Sequence, residues 1–201
     1  MGYFPFFVEL SGSAGLIVGG GAVAVRKVEK LLSYGPRLTV VAPELDEALR
    51  SIPGLQLERR VFAPGDLEGM AFVIAAAGDT ETNHEVARLC RERNIPVNVV
   101  DDKQACTFLF PALVKRGELS VGISTGGSSP TAAVWLKEEI EGLLPDGLED
   151  VLSWLESMRP ELKAQVPESV RRAALFRELF CAGLAAGRPL TREETERVIA
   201  E

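Results

Sequence analysis

A run of three glycines between a short apolar segment and an amphipathic segment constrains this chain more than any other feature. Leu16–Val18 is rich in residues that favour β-strands, and the glycines occupy positions 19–21. Apolar residues then recur at helical spacing from Ala22 to Tyr34, before Gly35 as a helix stop signal. This order predicts a strand, a tight turn and a helix, the opening unit of a parallel α/β sheet.

The small residues of this turn match the G-x-G-x-x-G/A fingerprint of dinucleotide-binding folds. Gly19 permits the tight turn, Gly21 lets backbone N–H groups approach a pyrophosphate, and Ala24 lets the helix pack close to the sheet. A glycine turn that only joins a strand to a helix is the alternative. The residues predicted to contact a cofactor here are Gly19, Gly20, Gly21, Ala22 and Val23.

The same alternation of β-rich and amphipathic segments continues to residue 112. It predicts an α/β fold with a Rossmann-like parallel sheet. A second helix is predicted over residues 81–93, and residues 1–10 are expected to form a first strand and not a leader peptide. The other predicted strands are Leu16–Val18, Leu38–Val41, Leu57–Phe62, Phe72–Ala75 and Val97–Val100.

The pattern changes after Cys106, where residues 108–113 and 119–123 are predicted to form two strands joined by a turn. The loop 124–128 then leads into a helix with Ser129 as its N-cap and Pro130 at its first position. The predicted helices of this half are 131–144, 148–158, 168–185 and 192–200. The predicted domains are a dinucleotide-binding domain at 1–112, a small strand-plus-helix segment at 113–145 and a C-terminal helical domain at 146–201.

Charge and composition exclude several classes of protein. The net charge of -7 argues against general nucleic-acid binding, because a duplex-binding surface needs clustered Lys and Arg. No apolar run is long enough to cross a bilayer, so no membrane association is expected. Cys90, Cys106 and Cys181 form no C-x-x-C pair, which argues against a redox or zinc motif. These features indicate a cytoplasmic protein.

The end of the second predicted strand bears on the choice of cofactor. A NAD site usually has an acid here that accepts hydrogen bonds from the ribose hydroxyls. The candidate for this contact with the ribose is Glu44, or the backbone of Pro43 and Glu44. The alternative is that Glu44 only begins the next helix. No Arg or Lys follows the strand end directly to bind a 2′-phosphate, so we expect NAD and not NADP.

The fourth and fifth predicted strands end in further candidate residues. Ala76 and Gly78 are small enough to let a nicotinamide ribose lie against the backbone, although ordinary close packing explains them equally well. Asp101 follows the fifth strand, and ligands of open α/β sheets bind beyond the carboxyl ends of the strands. Its carboxylate is therefore a candidate to exchange protons with a substrate or to hold a metal, and capping of the next turn is the alternative.

Four motifs, taken in order, resemble one known family. They are Gly19-Gly20-Gly21-x-Val23-Ala24-x-Arg26-Lys27, Val40-Val41-Ala42-Pro43, Asn98-Val99-Val100-Asp101 and Ser124-Thr125-Gly126-Gly127-x-Ser129-Pro130. Together they resemble the precorrin-2 dehydrogenase/sirohydrochlorin ferrochelatase family, which includes the N-terminal part of multifunctional siroheme synthases. The resemblance covers residues 1–145, and the later helices match only in kind.

The resemblance implies NAD-dependent oxidation of precorrin-2 to sirohydrochlorin, with Asp101 as the essential aspartate and general base. It also implies a homodimer formed through residues 113–145, with the tetrapyrrole between the cofactor domain and the helical end. A loop that feeds a helix N-terminus suits the carboxylates of precorrin-2. The implied substrate-binding residues are Ser124, Thr125, Gly126, Gly127 and Ser128, with Arg26, Lys103, Lys115 and Arg116 as further contacts.

Metal insertion is the open part of this prediction, because some members of the family also insert ferrous iron. No metal-ligand set is predicted: His84 is the single histidine and is expected on a helix surface, although Asp101 could assist the insertion of ferrous or cobaltous ion. Two alternatives remain, a NAD(H)-sensing regulatory module without turnover and a chelatase only. The chain is expected to lack the methyltransferase module of fused synthases and to receive precorrin-2 from a separate enzyme.

Overall fold

A five-stranded parallel sheet organises the first half of the chain in the computed structural model, which describes residues 3–200. The strands are β1 (Ala14–Val18), β2 (Arg37–Val41), β3 (Gln56–Glu58), β4 (Phe72–Ala75) and β5 (Val97–Val99). Their order across the sheet is β3-β2-β1-β4-β5, and every pair is parallel. The carboxyl ends of all five strands therefore lie along the same edge, where ligands of such sheets bind.

Helices cover both faces of this sheet. They are α1 (Ala22–Leu32), α2 (Glu47–Arg50) and α3 (Thr80–Glu92), with a short 3-10 helix at Pro64–Leu67. Successive residues of β1 point to opposite faces, so Leu16 packs in one apolar core with Val86 of α3, and Ile17 packs in the other with Val28 of α1. All four side chains are fully buried, each contributing about 1.5–3 kcal/mol.

The chain divides into two compact units between Phe110 and Pro111, two residues before the predicted boundary at residue 112. The second unit begins with an antiparallel hairpin and continues as helices. Its elements are β6 (Ala112–Arg116), β7 (Leu119–Ile123), α4 (Pro130–Leu143), α5 (Leu148–Gln165), α6 (Ser169–Ala186) and α7 (Arg192–Ala200). The helix α4 packs on the hairpin, and α5, α6 and α7 pack together around Leu162 and Leu179.

The predicted fold class is confirmed: a Rossmann-like parallel sheet precedes a small antiparallel strand pair and C-terminal helices. Ser129 caps α4 and Pro130 is its first residue, as predicted. In the part of the chain that the structure describes, no helix is both long enough and apolar enough to span a membrane.

Some predicted elements were wrong. Residues 3–10 form no strand, because no neighbouring strand pairs with them and Pro5 lacks an N–H group. Phe4 and Phe6 are exposed. Met1 and Gly2, which the prediction also included, lie outside the described residues. The first strand of the hairpin lies at 112–116 and not at 108–113, because Phe108 and Phe110 pack instead against the α1 side of the sheet.

Two element lengths also differ from the prediction. The third strand ends at Glu58, earlier than predicted, and the chain turns away at Arg60, which pairs with Asp66. Conversely, α5 continues through Pro160 to Gln165, because the turn beyond the proline buries Leu162 completely in the helical core.

Candidate functional site

The first glycine of the turn after β1 is required by both its backbone and its surroundings. Gly19 has φ +124°, a conformation that side chains disfavour. A Cβ atom there would overlap the carbonyl group of Ala76, which follows β4. The Gly19 N–H donates to the carbonyl oxygen of Val41 at 2.9 Å. The turn is therefore held between the ends of β2 and β4.

The middle glycine has a steric role that the fingerprint does not assign, since that position admits any residue. A Cβ atom at Gly20 would overlap the carbonyl oxygen of Glu44 and lie 2.9 Å from the Ala42 methyl group. The Asp46 N–H donates to the Gly20 carbonyl oxygen at 2.8 Å. Gly20 thus packs directly against the segment after β2, which carries the predicted second cofactor contact.

The third glycine faces open space. Gly21 is the N-cap of α1 with φ -88°, and a Cβ atom there would meet no atom within 4 Å. No side chain caps α1, no acid lies in its first turn, and Ala22 is exposed. Ala24 is fully buried, as expected for close helix–sheet packing. The uncapped N–H groups and the open approach over Gly21 fit the pyrophosphate of a dinucleotide.

The segment after β2 supplies the second predicted contact. Pro43 and Glu44 are both exposed, and the helix α2 begins only at Glu47, with Asp46 as its N-cap. The alternative that Glu44 begins this helix is therefore wrong. The Arg59 Nε–H donates to the Pro43 carbonyl oxygen at 3.3 Å. No sequence pattern predicts that Arg59 contacts Pro43, because it lies 16 residues away along the chain and reaches Pro43 only through the pairing of β2 with β3.

A buried asparagine holds the segment after β4. The Ala77 N–H donates to Oδ1 of Asn83, and Nδ2 of Asn83 donates to the Ala77 carbonyl oxygen, both at 2.9 Å. Asn83 is only 7% exposed and lies in α3. A Cβ atom at Gly78 would meet no atom within 4 Å, so this loop is rigid at Ala77 and open at Gly78. The sequence offered no signal for this role beyond an asparagine in a helix.

Asp101 lies two residues beyond the end of β5, after Val100, with φ +61° and an exposed side chain. Its neighbour Asp102 performs the capping that was the alternative role for Asp101: Asp102 Oδ1 accepts from the N–H groups of Gln104 and Ala105 at 3.0 and 3.1 Å. Within residues 3–200, no hydrogen bond restrains the Asp101 carboxylate. That leaves it available to a ligand at the edge of the sheet.

The histidine of the chain lies beside this turn. His84 is on α3 and exposed, as predicted, and its Nε2 lies 2.9 Å from Oδ2 of Asp102. The hydrogen bond from His84, aided by those from the backbone, lowers the pKa of the Asp102 carboxyl below its usual value. Asp102 therefore stays ionised and holds the turn that presents Asp101.

A half-buried cation also faces this region. The Lys27 ammonium, on α1, lies 3.8 Å from the centre of the Phe110 ring. Burial, with the nearby charges of Lys30 and Arg26, lowers the pKa of Lys27 to about 8, although Cys106 and Asp101 act in the opposite direction. The sequence motif that contains Lys27 predicts no separate role for it.

The Ser124–Ser128 loop belongs to the second unit. Thr125 organises it: its Oγ1 donates to the Ser129 carbonyl oxygen at 3.0 Å and accepts from the Ser129 N–H at 3.2 Å. Gly126 and Gly127 have φ of +63° and +85°, and the Gly126 N–H donates to Ser124 Oγ. The loop is therefore a defined turn that ends at the N-cap of α4.

The structure brings the predicted cofactor residues and Asp101 to one edge of the sheet in the first unit. Of the predicted additional contacts, Arg26 and Lys103 lie in this unit, while Lys115 and Arg116 lie in the hairpin of the second unit. Among residues 3–200, no three His, Cys, Asp or Glu side chains form a group able to hold a metal ion.

Comparison with known proteins agrees with this geometry. Residues 6–112 match a family model described as "Putative NAD(P)-binding", and residues 116–143 match one described as "Sirohaem biosynthesis protein central". The first match covers more than half of the chain. The chain belongs to this NAD(P)-binding family. The second match spans the region of β7 and α4, so the two matches confirm the resemblance inferred from the motifs.

Curated relatives extend the comparison. The chain is 38% identical to "Siroheme synthase" of Thioalkalivibrio sulfidiphilus over 183 residues, and this aligned region covers 90% of this chain and 37% of the relative. It is 37% identical over 208 residues to "Siroheme synthase" of Pseudomonas paraeruginosa, covering 100% of this chain and 44% of the relative. The chain therefore spans less than half the length of these relatives.

A solved structure shares the fold over the whole chain. "SirC, precorrin-2 dehydrogenase" superposes with a TM-score of 0.75 and covers 98% of both chains, at 22% sequence identity. This likeness confirms the fold in both halves of the chain.

Proposed function

We propose that this chain is a precorrin-2 dehydrogenase that oxidises precorrin-2 to sirohydrochlorin with NAD in siroheme biosynthesis. One observation carries the proposal: the open turn at Gly21 and the unrestrained carboxylate of Asp101 lie at the same edge of one parallel sheet. Membership of an NAD(P)-binding family and the names of the relatives support the same reaction.

The cofactor is held by backbone more than by side chains in this proposal. The N–H groups at the start of α1 receive the pyrophosphate over Gly21. Glu44, with the backbone of Pro43, meets the adenosine ribose. Ala76 and Gly78 leave room for the nicotinamide ribose, and Asn83 fixes their loop. Bound NAD supplies the hydride acceptor.

Oxidation of precorrin-2 removes one hydride and one proton, and the proton needs a base. Asp101 takes this proton from the macrocycle, because its carboxylate is exposed, carries no internal hydrogen bond within the described residues and lies two residues beyond the end of β5. The Ser124–Ser128 loop, at the N-terminus of α4, is proposed to bind a carboxylate of the substrate.

We further propose a homodimer in the cytoplasm, with α4 at the interface. Large apolar side chains of α4 are unusually exposed, Trp135 by 57% and Leu143 by 79%. The three cysteines are free thiols. Sirohydrochlorin is the released product, and ferrous or cobaltous ion is a second substrate only if the chain also inserts metal.

The test is an anaerobic assay with precorrin-2 and NAD, in which sirohydrochlorin and NADH are both measured by absorbance. Asp101→Asn is the informative variant, because asparagine tolerates the left-handed backbone that alanine would strain. We expect a rate loss of about 100-fold or more with little change in NAD affinity. Asp146→Asn, at an exposed loop position, is the matched control and should keep the parental rate.

The alternatives give different results in the same assay. Binding of NAD without turnover by the parent chain identifies a sensing module and refutes the dehydrogenase. Insertion of ferrous or cobaltous ion into supplied sirohydrochlorin, with no oxidation of precorrin-2, identifies a chelatase only. A full rate in Asp101→Asn removes the base role of Asp101.

A further inference from the structure

We propose that Arg59 binds the 2′-phosphate of NADP, so that the site accepts NADP as well as NAD. The inference rests on the dinucleotide site of the proposed function and deepens it, because it names the residue that sets cofactor choice. It also revises the expectation, drawn from the sequence, that no basic residue serves the end of β2.

The position of Arg59 follows from the pairing of two strands. β3 is parallel to β2, and Val41 at the end of β2 pairs with Glu58 at the end of β3. Arg59 is the next residue, so it lies at the carboxyl edge beside the segment after β2. In dinucleotide-binding folds this segment meets the adenosine ribose, and a nearby arginine accommodates a 2′-phosphate.

The hydrogen bond of Arg59 orients its guanidinium. Nε donates to the Pro43 carbonyl oxygen at 3.3 Å, and no other hydrogen bond or ion pair engages Arg59 among residues 3–200. The two terminal nitrogens, with four N–H groups, remain available beside Pro43. A planar guanidinium binds phosphate oxygens through paired, charge-assisted hydrogen bonds.

The adjacent arginine is engaged elsewhere, which separates the roles of the pair. Arg60 forms two hydrogen bonds to the Asp66 carboxylate, at 2.7 and 2.8 Å, and lies 3.6 Å from Glu58. Its charge is therefore balanced within the protein. The charge of Arg59 is not balanced by an ion pair in the described part of the chain, so an anionic ligand is its natural complement.

Glu44 explains why NAD is accepted alongside NADP. Its carboxylate is exposed and forms no ion pair with Arg59, while its backbone carbonyl packs against Gly20. An exposed carboxylate on a loop can accept from the ribose hydroxyls of NAD, and it can turn toward solvent when a 2′-phosphate binds Arg59. The edge thus carries one group suited to each cofactor.

The test is calorimetric titration of the whole chain with NAD, NADP and 2′,5′-ADP, in the parent, in Arg59→Gln and in Arg88→Gln. Arg88 is the matched control, since it is an exposed arginine paired with Glu85 and Glu92 on α3. We expect parental Kd values for NAD and NADP within about tenfold of each other. Arg59→Gln should weaken NADP and 2′,5′-ADP about tenfold or more and NAD less than about threefold.

Two results overturn the proposal. One is a parent chain that binds NAD and not NADP, and the other is an Arg59→Gln variant that weakens both dinucleotides equally. Because titration needs no precorrin-2, a chain that binds both dinucleotides but fails to oxidise precorrin-2 loses the dehydrogenase assignment while Arg59 keeps its role. A chain that binds neither dinucleotide refutes both.

Discussion

Two adjacent glycines of the turn after β1 are expected to respond to the same substitution in opposite ways. Gly20→Ala places a methyl group against the Glu44 carbonyl oxygen and 2.9 Å from the methyl group of Ala42, and both Gly20 and Ala42 are buried. The backbone of one segment has to move, and it strains the hydrogen bond from Asp46 to Gly20. We expect a loss of about 1–3 kcal/mol in the free energy of unfolding, as for overpacking in other cores.

Gly21→Ala places the same methyl group where no protein atom lies within 4 Å. Its φ of -88° suits alanine, so reduced chain entropy in the unfolded state offsets the weaker N-cap preference of alanine. The net change in stability should stay within about 1 kcal/mol. The methyl group occupies the approach to the first N–H groups of α1, so NAD affinity should fall about tenfold or more.

Urea unfolding followed by circular dichroism measures the first quantity, and calorimetric titration with NAD at 25 °C measures the second. We predict a stability defect in Gly20→Ala and a binding defect at nearly parental stability in Gly21→Ala. If Gly21→Ala binds NAD as tightly as the parent, the open space over α1 does not hold the pyrophosphate. Parental stability in Gly20→Ala would show that the contact with Glu44 relaxes freely.

Two further predictions concern Asn83 and Lys27, whose contacts no sequence pattern indicates. Asn83→Ala leaves the N–H and C=O groups of Ala77 without partners, so it should cost about 2 kcal/mol of unfolding free energy and weaken NAD binding. Asn83→Asp cannot donate to the Ala77 carbonyl oxygen and should not restore the lost stability. Unchanged midpoints of urea unfolding would contradict the role of Asn83 in holding Ala77. The pKa of Lys27 is lowered from 10.5 to about 8, so the charged Lys27 destabilises the folded state below pH 8. Between pH 8 and 10.5 Lys27 is neutral in the folded chain and still protonated in the unfolded chain, so the free energy of unfolding rises with pH. Relative to Lys27→Met, the parent should gain about 1–2 kcal/mol in the free energy of unfolding between pH 7.5 and 10.5, after allowance for solvent screening. If the free energies of unfolding of the two chains change in parallel with pH, Lys27 does not have this effect.

Local physical chemistry accounts for most of what the sequence predicted correctly. The start of α1 follows from the glycine turn, the whole of β4 from an apolar β-rich run, and the start of α4 from Ser129 and Pro130. Each of these signals acts within one turn or one strand. Asp101 could be placed at the sheet edge for the same reason, since it lies two residues beyond the end of β5.

The remaining features depended on contacts between distant segments. The first ten residues are rich in apolar residues like a strand, but the described part, 3–10, has no neighbouring strand to supply the ladder hydrogen bonds. Arg59, Asn83 and Lys27 lie within ordinary polar or helical patterns, and no local rule distinguishes them from other surface residues. Their roles depend on Pro43, Ala77 and Phe110, which lie 16, 6 and 83 positions away.

The sequence by itself determined the parallel sheet, the dinucleotide turn, the aspartate beyond β5 and the resemblance to a siroheme-pathway family, because these follow from short-range spacing and residue type. Only the tertiary structure decided that Gly20 is sterically required, that Gly21 is open, and that Asp102 and not Asp101 caps its turn. Burial, hydrogen-bond partners and unbalanced charge are properties of pairs of segments. They exist only once the strands have aligned their carboxyl ends along one edge.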